Sequence, residues 1–163
     1  MKWIVAVIGL LICLLWGGCR IVEDIQFDRG AEGYLKRAAD ANTVELAEQN
    51  LAVAVKFLEE NNITSGYTSI LWRTPDEDVG FWHKNLTSAL QELRSVKPEA
   101  SQLEKTNVLM KLRETLLDQG ESGTKITVPS GISIFPDNKS YALMALVGSL
   151  LLAGGCIAIG VDS

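Results

Sequence analysis

The chain has 163 residues, with 15 Lys and Arg against 20 Asp and Glu, a formal charge of −5 and a mean hydropathy of +0.16. These values fit one modest domain and exclude a multidomain enzyme. The acidic balance also argues against nucleic acid as a main partner, because phosphate binding needs a concentrated basic face. The residues are segregated: 3–19 and 141–161 carry no charge, while 20–140 hold 14 of the 15 basic and 19 of the 20 acidic side chains. The expected fold class is therefore all-α, with two transmembrane helices flanking a three-helix antiparallel bundle and a short extended strap before the second span.

The first apolar run, Trp3 to Cys19, covers 17 residues, or about 25 Å of helix. Extension to Val22, with Arg20 snorkelling to the headgroups, brings it to the thickness of a bilayer core. Residues 1–22 are accordingly read as an uncleaved signal-anchor helix, with Trp3 and Trp16 near opposite interfaces. A cleaved signal peptide is the ordinary alternative. Trp16-Gly17-Gly18-Cys19 also resembles a bacterial lipoprotein processing box, which would make Cys19 a lipidation site; Trp16 stands where such boxes usually carry an aliphatic residue.

Residues 23–122 read as a helical soluble domain. Val44, Ala47, Leu51, Ala54 and Leu58 recur at intervals of three and four, the signature of one buried helical stripe. Gly30 and Gly33 upstream are candidate breaks from the first span; without a break the two helices would run together. Asn61 to Arg73 reads as a loop whose Ile70-Leu71-Trp72 end looks buried. Thr74-Pro75-Asp76-Glu77 has the form of a helix start, with Thr74 as N-cap, Pro75 in the first helical position and Glu77 closing a capping box. Val79, Trp82, Leu86, Ala89, Leu93 and Val96 carry the stripe of that second helix. A third helix is expected from Pro98 to about Gln119, with Leu109, Leu112 and Leu116 facing inward, Leu103, Val108 and Leu117 widening the stripe, and Gly120 as its stop. Gly123 to Phe135 alternates in β-branched character around Pro129 and Gly131, and residues 123–140 read as an extended connector or small hairpin.

Residues 141–161 form a second apolar run of 21 residues, about 31 Å of helix. Within it Ala145, Ser149, Ala153, Cys156 and Gly160 make a stripe of small residues that could let two helices approach closely. Two spans place both termini on one side of the membrane, expected to be the cytoplasmic side, with the polar domain outside.

Chemistry-bearing patterns are few. All three cysteines lie in the apolar runs, so the polar domain has neither a disulfide framework nor a Cys-based zinc site. His83 is the single histidine and has no convincing titratable partner on its helical face. Asp76-Glu77-Asp78 is accounted for by the positive end of the helix it opens. The sequons at Asn62, Asn85 and Asn138 matter only in a secretory eukaryotic setting. No nucleophile elbow or nucleotide fingerprint occurs. Trp72 and Phe81 are the candidate partner-binding aromatics, Phe81 because it falls one residue off the core stripe.

The expected function is that of a small membrane-anchored interaction or scaffold protein, or an accessory subunit of an oligomeric membrane assembly. Its expected partners are the lipid bilayer and a second copy or another membrane protein; no enzyme activity, metal or cofactor is expected. The alternatives are an envelope lipoprotein-like binding module acylated at Cys19, and a hairpin subunit of a pore or transport assembly. Against the pore, neither span carries a polar stripe.

Overall fold

Helix α1 occupies Lys2–Phe27, where the apolar run passes without a break into Arg20-Ile-Val-Glu23 and beyond. The computed structural model describes residues 2–71, 73–120, 123–134 and 138–160. The chain divides into two units, Met1–Asp24 with Asp137–Ser163, and Ile25–Pro136. It is mostly helical, with one small two-stranded sheet.

The first unit is a pair of apolar helices, the greater part of α1 and α6 (Lys139–Gly160). Both are long and apolar enough to cross a membrane by length and composition. They run antiparallel, as the order of their contacts shows. Ala6 abuts Gly155, Gly9 abuts Leu152 and the carbonyl of Gly148, and Cys13 abuts Gly148. Gly148 and Gly155 are seven residues apart, two helical turns, so both fall on one line of α6.

The second unit begins with the last residues of α1, from Ile25, which pass into a π-helical turn, Asp28–Glu32, and then into α2, Gly33–Ala39. The expected glycine break does not occur. Gly30 and Gly33 both stay helical, and Gly30 serves close packing: a Cβ there would collide with the Phe57 ring. The chain breaks later, at residues 40–43, where Thr43 Oγ1 accepts from the Leu46 N–H at 3.2 Å and caps α3, Val44–Glu60. The stripe read from spacing is buried throughout: Val44, Ala47, Leu51, Ala54 and Leu58, joined by Val55. Asn62 ends the helix in a left-handed turn, φ +57°, that delivers Ile63 into the core.

Helix α4, Val79–Ser95, buries Val79, Trp82, Leu86, Leu90 and Leu93. Its start is two-staged. Pro75–Glu77 form a 3-10 turn closed by Thr74, whose N–H and hydroxyl donate to Glu77 Oε2 at 3.3 and 2.8 Å. The helix proper is capped by Asp78, whose Oδ1 accepts from the Phe81 N–H at 2.9 Å. The cap expected at Thr74, with Pro75 in the first position and Glu77 closing a capping box, is present on the 3-10 turn; the α-helix itself starts one step later, with Asp78 as its N-cap, because Asp78 is extended and breaks the helical run.

Helix α5, Gln102–Leu116, is shorter than the expected 98–119 at both ends. Ser101 caps its start, and Leu117 turns extended to open strand β1, Leu117–Gly120, paired antiparallel with β2, Gly123–Ile126. The hairpin therefore takes its first strand from residues assigned in sequence to the third helix, and the boundary at 122/123 falls inside it. Leu112 and Leu116 are buried in α5, while Leu103 stays exposed instead of widening the stripe. The chain beyond β2 is clasped to the helices and to the loop after α3: Thr127 N–H donates to Leu116 O (2.8 Å), Trp82 Nε1 to Thr127 O (2.8 Å) and, from the loop, Thr68 Oγ1 to Ser130 O (2.6 Å). Arg113 Nε donates to Ala39 O at 3.0 Å, satisfying a carbonyl at the end of α2.

Candidate functional site

Two places concentrate unusual chemistry, one in each unit. In the helix pair, the α1 seam of Ala6, Gly9, Cys13, Arg20 and Glu23 steps by three, four, seven and three, the spacing of a single helical face. Its upper half is apolar and close-packed. Its lower end is polar. Arg20 Nη1 donates to Asn138 Oδ1 at 3.0 Å, and the guanidinium lies 5.6 Å from the centre of the Tyr141 ring. A charged donor to an amide oxygen, together with a cation–π contact, makes a latch between the two helices.

One turn on, Glu23 is 4% exposed, and its Oε2 has no hydrogen-bond partner among the described residues. Burial pushes its carboxyl above the ordinary carboxylate range, and the nearby Arg20 charge offsets only part of that.

The small-residue stripe expected on the second span is not the face that meets α1. Ala145 is half-buried, and Ser149, Ala153, Cys156 and Gly160 are exposed. The α1 contact instead uses Gly148, Leu152 and Gly155. Sequence reasoning missed this face; the seven-residue interval between the two glycines was the available signal. Cys19 is half-buried within continuous α1 helix, and Cys13, Cys19 and Cys156 are all free thiols.

In the second unit, the start of α4 and the chain after β2 enclose a groove of about 350 Å³. Phe81, 62% exposed, stands on its wall beside the buried Trp82. Trp82 is itself a core residue: its ring centre lies 6.5 Å from that of Phe27. Asp76, Asp78 and Asp118 line the same groove, with Lys125 directly across the ladder from Asp118. Trp72 lies outside the described residues. Ile70 and Leu71, expected to be buried at the end of the 61–73 loop, are exposed instead, Leu71 at 78%, and the Arg73 guanidinium sits 5.5 Å from the centre of the Tyr67 ring.

His83 is half-buried on α4, and its Nε2 has no hydrogen-bond partner among the described residues. No group of three or more His, Cys, Asp or Glu side chains suited to a metal ion is found among the described residues. No family model, curated protein or solved structure matches the chain.

Proposed function

We propose that the protein is a small membrane-anchored helical interaction protein, a scaffold or accessory subunit of an oligomeric membrane assembly, without enzymatic activity. In this reading α1 and α6 span the bilayer as a hairpin, and α3, α4 and α5 form an antiparallel bundle on the extracytoplasmic side. The observation that carries it is the helix pair. Its inward faces are matched backbone to backbone at Ala6 and Gly155, while Leu14, Leu15, Leu143, Leu150 and Ile157 point outward and exposed. An apolar surface of that extent is unfavourable in water and suits lipid.

The seam also favours an uncleaved N-terminus. Ala6, Gly9 and Cys13 would be lost by processing at Cys19, and α6 would lose the surface that its glycines fit. Ser149, Ala153, Cys156 and Gly160, left exposed on α6, are the proposed contact between copies.

The test is made on the full chain in native membranes. Retention after an alkaline wash, an intact mass that includes Met1, and a dimer crosslinked through Cys156 are expected. Ala153→Leu should reduce that crosslink. Release by the wash overturns the anchor, an acylated Cys19 start overturns the uncleaved N-terminus, and an unchanged crosslink in Ala153→Leu overturns the contact face.

A further inference from the structure

The groove beside α4 combines apolar lining from Phe81, Trp82 and Ile126 with a set of charged residues, Asp76, Asp78, Asp118 and Lys125. These charges are unequal. Asp78 is committed to capping α4, and Lys125 stands across the ladder from Asp118. Asp76 is exposed and has no hydrogen-bond or ion-pair partner among the described residues. The groove thus offers uncancelled negative charge next to an exposed aromatic face. Its volume, about 350 Å³, is at the small end for ligand sites and suits one or two side chains, not a helix.

We infer that this groove docks an extended, arginine-bearing segment of a partner protein. Phe81 and Asp76 line the same groove, and a planar guanidinium suits both an aromatic face and a carboxylate, whereas an ammonium satisfies only one of these well. An acidic segment is repelled by the net negative lining, and a purely apolar one leaves the carboxylates facing it uncompensated. The inference rests on the reading of the protein as an interaction module, and supplies the chemistry of its partner.

The experiment uses the full chain in micelles of an uncharged detergent and a fluorescein-labelled peptide in which Arg alternates with Leu. Lys–Leu and Glu–Leu peptides serve as comparisons. The expected order of binding is Arg over Lys, with Glu not bound, and affinity falling as salt rises. Phe81→Ala should weaken the Arg peptide about tenfold and Asp76→Asn about threefold, the range for a partly desolvated cation–π contact and an exposed ion pair. Glu59→Gln, remote in sequence on α3, should change nothing. Because Phe81 and Asp76 are exposed, both variants should keep the wild-type circular dichroism spectrum. Equal binding of the Glu peptide, or of the wild type, Phe81→Ala and Asp76→Asn alike, overturns the inference. Membrane retention and the Cys156 crosslink are read on the same preparations, so failure of peptide binding stays separate from failure of the anchoring reading.

Discussion

Ala6 and Gly155 meet so closely that a Cβ built on the glycine would lie 2.7 Å from the Cβ of the alanine. The next residue towards the N-terminus, Gly154, has nothing within 4 Å of the same construction. Two adjacent glycines in one apolar helix should therefore respond oppositely to the same methyl group. Gly155→Ala should destabilise the helix pair by about 1–3 kcal/mol, as overpacking of a close contact does. Gly154→Ala should leave stability unchanged or raise it by up to about 1 kcal/mol through helix propensity. Thermal unfolding of the full chain in detergent, followed by loss of helical ellipticity, measures both. Equal behaviour of the two variants would remove the seam from the account.

That contrast also shows where the sequence was legible and where it was not. Length and hydropathy locate both apolar helices, and the three-four spacing from Val44 to Leu58 names a stripe that is buried throughout. Spacing alone could not choose between the small-residue faces of α6, because Ser149 and Ala153 repeat as regularly as Gly148 and Gly155. The choice is made by what α1 presents opposite. Leu117 illustrates a second limit: its apolar side chain suits the α5 stripe equally well, and its pairing with Ile126 across the hairpin, outside the helical segment, draws it into a strand instead. At the candidate groove, the off-stripe position of Phe81 correctly predicts exposure, but nothing local to α4 predicts that Asp118 and Lys125 line the same groove.

The two-staged start of α4 separates two caps that look equivalent in sequence. Asp78 Oδ1 takes the Phe81 N–H of a 17-residue helix, whereas Thr74 closes only the Pro75–Glu77 turn. Asp78→Ala should cost about 1 kcal/mol, the usual value of a lost N-cap. Thr74→Ala should cost less than half of that, because its bonds to Glu77 are solvent-exposed. Urea unfolding followed by circular dichroism ranks the pair; a larger loss for Thr74→Ala would return the cap to the place the sequence pattern suggested.

Trp82 joins the core to the chain after β2 through a single bond from Nε1 to Thr127 O at 2.8 Å. Trp82→Phe keeps most of the apolar volume and deletes the donor. It should destabilise by about 1–2 kcal/mol and increase amide exchange at residues 124–128 ahead of global unfolding. Trp82→Ala, which also opens a cavity, should cost about 3–5 kcal/mol. If exchange at 124–128 is unchanged in Trp82→Phe, the bond does not hold that segment.

At the polar end of the helix pair, Arg20 and Glu23 lie on one face of α1 but fare differently. Arg20 has Asn138 and the Tyr141 ring, while Glu23 is buried with Oε2 unmatched. Removing the first should hurt and neutralising the second should help. Arg20→Gln loses both the charge-assisted bond and the cation–π contact, and should cost about 1–3 kcal/mol. Asn138→Asp replaces an amide oxygen by a carboxylate opposite the same guanidinium; the stronger bond should raise the melting temperature. Glu23→Gln keeps the shape and removes a negative charge whose desolvation is poorly offset, so it too should raise the melting temperature. The double variant Arg20→Gln with Glu23→Gln tells whether the two side chains are coupled. A loss smaller than that of Arg20→Gln alone, by the full gain of Glu23→Gln, means independent action. A non-additive result means that Arg20 also steadies the buried carboxylate, and Glu23 would then belong to the latch.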